Sequence, residues 1–231
     1  MKSDEHPIAQ EPADELMHHK ELSEELLELG VVHAEKPLSL GDILERLGPR
    51  ASALLVIICA LPFSVPVSIP GLSTPFGLVI LFLAARVFLG LPPWLPQRLH
   101  RIALPATFFA KVLNASSKLI GWLERRLKQE RLMKFTDREW KLRFHAGVVM
   151  VAAALLILPL PPLPPFTNTL PALVAVIMTL SILKRDGAGV LAGYGVFIFT
   201  VGYFAFWSAV VIETFNKYGA KAWAFIQGLV G

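Results

Sequence analysis

Leu61-Pro-Phe-Ser-Val-Pro-Val-Ser-Ile-Pro-Gly-Leu-Ser-Thr-Pro75 interrupts a long apolar run, Ala51–Leu91, near its middle. A second run, Ala146–Leu183, is broken in the same way by Leu158-Pro-Leu-Pro-Pro-Leu-Pro-Pro-Phe-Thr-Asn-Thr-Leu-Pro171. A helix needs about 20 uninterrupted apolar residues to cross a bilayer, and proline removes both an amide donor and the geometry that continues a helix. Pro62, Pro66, Pro70 and Pro75 therefore mark breaks in the first run, as Pro159, Pro162, Pro165 and Pro171 do in the second. Backbone freed at such breaks must be satisfied by protein or by a water-filled cavity when it lies at membrane depth. Broken helices in both halves of a chain are a sequence pointer to a transporter's binding site.

Composition sets the class. Of 231 residues, 54% are hydrophobic and 17% charged, and the mean hydropathy is +0.56. Ala188–Ile212 carries no charge and is long enough to span with some tilt. The expected fold is an all-α integral membrane protein. It has two repeated Pro-broken helix hairpins, re-entrant or kinked, then a basic amphipathic connector helix and a C-terminal transmembrane helix.

Residues 1–50 hold five Lys/Arg against twelve Asp/Glu, whereas 92–145 hold twelve against four. The basic connector belongs on the cytoplasmic side by the positive-inside rule. The acidic first residues lack a basic-then-apolar signal pattern, so the expected location is a bacterial inner membrane. Glu15–Leu29 and Leu40–Leu47 read as short helices within this polar region.

The division is an acidic tail over 1–36, a membrane domain over 37–215 and a C-terminal tail over 216–231. Inside the domain, repeat 1 covers about 40–91, the connector 92–138, repeat 2 about 139–184 and the span 188–212. A shift of 97 residues brings Arg46 onto Arg143 and Pro62 onto Pro159. One deletion then aligns Ser73-Thr74-Pro75 with Thr169-Leu170-Pro171, the pattern of an internal repeat.

In the connector, Phe109, Leu113, Ile120, Leu123 and Leu127 share one helical stripe, while Lys111, Asn114, Lys118, Arg125 and Lys128 share another. Such a helix lies among anionic headgroups, delivers an anionic lipid to the membrane interior, or crosses at a tilt. Gly189 and Gly193 have the spacing for close helix packing, with intramolecular use expected.

Candidate binding residues gather around the breaks. Ser73, Thr74 and Thr169 are placed to cap the helices restarting at Pro75 and Pro171, whose first-turn amides favour an anion. Ser64, Ser68, Thr167 and Asn168 line the same place; at the membrane surface, the same residues simply meet water. Arg86, flanked by apolar residues, either joins the site or extends to the interface. The lone Cys59 and six dispersed histidines offer no metal set, and no phosphate loop, dinucleotide fingerprint or nucleophile elbow occurs. No catalytic residue, cofactor or nucleic-acid partner is expected.

Leu40-Gly-Asp-Ile-Leu-Glu-Arg-Leu-Gly48, Ala60-Leu-Pro62, Ile69-Pro-Gly-Leu-Ser73, Asn168-Thr-Leu-Pro-Ala172 and Lys184-Arg-Asp-Gly187 occur in that order. In this combination the chain resembles the ExoD family of bacterial exopolysaccharide-synthesis proteins, over roughly residues 37–212. The resemblance implies an inner-membrane protein needed for exopolysaccharide production and supplies no reaction. With the paired breaks, the expected role is transporter-like handling of a lipid-linked or anionic intermediate, such as an isoprenyl-phosphate-linked saccharide. A scaffold for a synthesis or export complex is the alternative. The expected surroundings are a bilayer with anionic lipids, and a homodimer encloses a buried site more easily than so small a body alone.

Overall fold

The computed structural model describes residues 51–64, 72–92, 94, 96–97, 119–123, 125–128, 131–158 and 165–230, with the pairs 38–39 and 103–104. The early helices expected within residues 1–50, and Ser68, Pro66, Pro70, Pro159 and Pro162, lie outside the described residues. Five α-helices dominate: α1 Ala51–Ser64, α2 Ser73–Leu89, α3 Glu139–Ile157, α4 Thr169–Leu183 and α5 Gly187–Val230. Leu38–Ser39 and Ala103–Leu104 form a two-residue antiparallel ladder.

α1 through α4 close a cycle of contacts in which α1 packs on α2 and α4, and α3 packs on the same two helices. Neighbours run antiparallel. Gly77 near the start of α2 abuts Ala153 and Ile157 at the end of α3, and Gly147 near the start of α3 abuts Phe88 at the end of α2. At the break end, Phe63 and Phe76 join α1 to α2 edge to face, with centroids 5.8 Å apart. Both breaks therefore lie at one end of the bundle, and the connector lies at the other.

α1 is apolar on every face and buried on every face, with Leu54 to Leu61 no more than 3% exposed. Its 14 residues and the 15 of α4 reach only ~21–22 Å, short of the ~30 Å hydrocarbon core of a bilayer. α1 and α4 end or begin within a residue or two of the expected breaks. Pro62 sits inside α1, so that break opens after Ser64. α3 starts seven residues before Ala146 and takes in Lys141 and Arg143. α5 continues past Ile212, and the stretch expected as a tail after residue 215 is helical to Val230.

Among the described residues, two helical segments are long and apolar enough to cross a membrane, Glu139–Ile157 and Gly187–Lys217. The latter turns large apolar side chains outward, including Ile198 at 70% exposure and Phe215 at 75%. α5 packs on α4 through its glycines: a Cβ at Gly189 would strike Ser181 and Leu127, and one at Gly193 would strike Met178. The intramolecular use of this spacing is confirmed. Of the connector stripe, Ile120, Leu123 and Leu127 join the bundle core, and Phe109 and Leu113 lie outside the described residues.

One turn fastens these parts together. Asp186 is fully buried, yet its carboxylate accepts from the Ala188 amide at 2.9 Å and the Lys128 amide at 3.1 Å. It thus caps α5 and grips the connector with one side chain. The Gly187 amide donates to the Arg131 carbonyl at 2.7 Å, and a Cβ at Gly187 would collide with the Leu132 carbonyl. The Thr136 hydroxyl donates to the Arg185 carbonyl at 2.8 Å.

Asp186→Ala is expected to destabilise the protein by roughly 2–4 kcal/mol, combining a lost cap with an orphaned amide. Asp186→Asn retains one acceptor oxygen and should cost less. Denaturant unfolding in detergent, followed by circular dichroism, checks the order.

Candidate functional site

The break end gathers most of the residues singled out in the sequence. Ser64 closes α1, Ser73 and Thr74 open α2, and Thr167, Asn168 and Thr169 lead into α4. The two restarts match in register: a hydroxyl residue stands first in each helix and proline third, Ser73 with Pro75 and Thr169 with Pro171. Proline is harmless there because a first-turn amide has no partner inside the helix.

The expected side-chain caps are absent. Leu72 and Asn168 occupy the N-cap positions, both with αR backbone, and neither helix start has a side-chain cap bond. An αR residue does not present its side chain to the first-turn amides as an extended N-cap does. Instead, Leu170 and Ala172 donate to the Phe166 and Asn168 carbonyls at 3.0 and 3.2 Å. Phe166 takes a left-handed φ of 66° to make the corner.

Ser73, Thr167 and Thr169 are each 9% exposed. Their hydroxyls make no hydrogen bond among the described residues, unlike Ser64, which donates back to the Ala60 carbonyl at 3.3 Å. A buried hydroxyl without a partner costs about 1–3 kcal/mol. Three of them beside two uncapped helix starts make a donor-rich region suited to an anion or to water. α2 and α4 lie across the bundle from each other, so the two starts face the same end from opposite corners.

Arg86 is elsewhere. It lies 13 residues after Ser73 on α2, ~20 Å along the axis, at the connector end. Its Nε donates to the Pro92 carbonyl at 2.7 Å, and the guanidinium lies near the Phe82 and Trp94 rings. The structure thus brings the hydroxyl and amide residues together and sets Arg86 apart.

Along α5, Tyr203 marks the level of the breaks by donating to the Pro165 carbonyl. Tyr203 is 16 residues from Gly187 and 10 from Glu213, the first charge on the helix. The break end therefore lies ~24 Å from the connector end and ~15 Å short of Glu213. Among the described residues, every Lys and Arg before Lys217 sits at the connector end.

That end also holds residues the sequence reading passed over. His145 is buried, its Nε2 2.9 Å from the Phe135 carbonyl and its Nδ1 3.0 Å from the Tyr194 hydroxyl. A carbonyl only accepts, so Nε2 carries a proton and, in the neutral ring, Nδ1 accepts from Tyr194. The bond ties α3 to α5. Nearby, Lys141 donates to Asp137 at 2.6 Å and holds that carboxyl below its usual range. Only packing reveals the His145–Tyr194 pair, 49 residues apart, whereas Asp137 and Lys141 stand four apart in sequence. Among the described residues, no group of His, Cys, Asp or Glu could hold a metal ion.

These features define an all-helical protein of short apolar hairpins flanked by a long apolar helix. The family model described as "Exopolysaccharide synthesis, ExoD" matches residues 22–206. The chain is 33% identical over 168 residues to "Protein ExoD" of Rhizobium meliloti (strain 1021), covering 73% of this chain and 69% of that one. It is 26% identical over 180 residues to an uncharacterized protein of Synechocystis sp., covering 78% and 81% respectively. No solved structure matches. The chain belongs to the ExoD family, as its ordered motifs suggested.

Because the three buried hydroxyls have no partner among the described residues, Ser73→Ala, Thr167→Val and Thr169→Val should leave unfolding free energy unchanged or raise it by up to ~1 kcal/mol. The same variants should lower exopolysaccharide output in cells. Paired unfolding and output measurements separate a structural from a functional role.

Proposed function

We propose that the protein is an inner-membrane component of exopolysaccharide synthesis that handles a lipid-linked or anionic intermediate through its paired broken helices. The observation carrying this reading is the matched pair of uncapped, hydroxyl-bearing helix starts at one end of a bundle whose α1 and α4 are too short to cross a bilayer. Family membership supports the pathway. The geometry supports the handling of an anion at those starts.

In the proposed placement, the basic connector lies in the cytoplasmic headgroup region and α5 spans the bilayer. The hairpins enter and leave on the connector side, and their tips stop inside the opposite leaflet. The distance from Tyr203 to Glu213 supports tips that do not reach the far surface. A short bundle thins the bilayer around it, which brings water towards the hydroxyls and shortens the path for a polar head. The matching restarts support an internal repeat, with both copies facing the same way. The role proposed is non-enzymatic, and an isoprenyl-phosphate-linked saccharide has the chemistry the site fits: an anionic head on an apolar chain.

In reconstituted liposomes, the protein should speed movement of a fluorescent isoprenyl phosphate between leaflets, and Asn168→Leu should slow it severalfold. Rates equal to empty liposomes, across isoprenyl phosphates and anionic phospholipids, would sink this reading and leave a scaffold of a synthesis complex in its place.

A further inference from the structure

Two arginines converge on the turn that ends α2. Gly90 there has a left-handed φ of 70°; its amide donates to the Val87 carbonyl at 3.1 Å, and the Leu91 amide donates to the Arg86 carbonyl at 2.8 Å. This is a glycine-ended helix stop whose last free carbonyls are partly satisfied. A Cβ at position 90 would fall on the Arg143 guanidinium, with Nε only 2.9 Å away. Arg143 of α3 therefore lies against the bare face of Gly90, in space no other residue type leaves open.

Arg86 approaches the same turn from the other side. Its Nε is fixed by the Pro92 carbonyl at 2.7 Å, and Cζ lies 5.4 Å from the Trp94 ring centroid and 5.9 Å from that of Phe82. The two rings are themselves 5.8 Å apart, so the guanidinium is held in an aromatic cradle. One of its five donors is used, and the planar fork of the other nitrogens remains. Arg143 makes no hydrogen bond or ion pair among the described residues.

Among the described residues, no carboxylate is available to this pair. Asp137 is taken by Lys141 and Glu139 by Arg185, Asp186 is buried on two amides, and Glu213 lies ~39 Å along α5 from its start. The carbonyl end of α2 attracts cations weakly but leaves most guanidinium donors unused. Two cations at one turn, each with a planar fork that has no carboxylate partner among the described residues, suit one phosphate, which each can bind through paired N–H groups. Half-exposed Trp94 beside them is a residue typical of the headgroup level.

We propose that Arg86 and Arg143, meeting around Gly90 with Trp94 alongside, bind the phosphate group of a membrane lipid at the connector-side interface. The proposal rests on the membrane placement given above and not on transport.

Native mass spectrometry of the full chain in neutral detergent tests it, with phosphatidylglycerol, phosphatidylcholine and an isoprenyl phosphate offered in turn and inorganic phosphate as competitor. Wild type should retain one phosphatidylglycerol or isoprenyl phosphate in preference to phosphatidylcholine. Arg143→Gln, at an exposed side chain with no partner among the described residues, should fold normally and weaken retention about tenfold, the loss of roughly one charge-assisted contact. Arg143→Lys should fall between, because the charge stays and the fork is lost. The double variant Arg86→Gln/Arg143→Gln should retain no lipid. Arg126→Gln, at an arginine near Trp122 outside the cluster, should bind as wild type.

Displacement by inorganic phosphate would assign the recognition to the phosphate itself. Resistance to it, with the arginine dependence intact, would assign the site to a lipid whose chain also contributes. Unchanged retention in Arg143→Gln overturns the proposal, as does an equal loss in Arg126→Gln or equal retention of phosphatidylcholine. Binding is read without leaflet exchange, so failure of transport leaves this result standing.

Discussion

α1 and α4 are 14 and 15 residues long, and ~21–22 Å of helix does not cross ~30 Å of hydrocarbon. The other features of the molecule follow from that shortfall. In the proposed placement each short helix turns back before the far surface, which puts the hydroxyls of Ser64, Ser73 and Thr169 at that end. Each must also be shielded along its length, which explains why α1 is buried on all sides. The longer α5 then adds an unbroken apolar length beside the bundle.

The connector end answers the opposite problem, holding several chain segments together where charge is plentiful. Asp186 does this by accepting from Lys128 and Ala188 at once, so one buried carboxylate fixes both the start of α5 and the return of the connector. His145 adds a link from α3 to α5 through Tyr194. The molecule is thus rigidly tied at its charged end and left with unpartnered hydroxyls at its break end. A site that must admit a ligand belongs at the end with donors to spare, while the lipid-phosphate site inferred at Arg86 and Arg143 lies among the anchoring groups.

Much of this was legible in the residues. Proline clusters placed the breaks of α1 and α4 to within a residue or two, because loss of an amide and steric exclusion are local effects. The glycine pair of α5 also read correctly, since only close packing rewards that spacing. What failed was what depended on conformation or distance. Ser73 and Thr169 looked like caps, but the αR backbone of Leu72 and Asn168 gives the starts no side-chain cap. Asp186 enters the sequence reading only within Lys184-Arg-Asp-Gly187, although an Asp immediately before Gly187 and an apolar helix is a readable cap signal. The pairing of Arg143 with Gly90, or of His145 with Tyr194, spans about 50 residues of sequence and carried no local sign.

The proposed placement puts both tips on one side of the membrane, opposite the basic connector. In a Cys59→Ser background, Thr74→Cys and Asn168→Cys should react with a membrane-impermeant maleimide from the same side, and Arg138→Cys only from the other. If either tip is labelled together with Arg138→Cys, or the two tips from opposite sides, the account of two parallel hairpins with a shared polar end is contradicted.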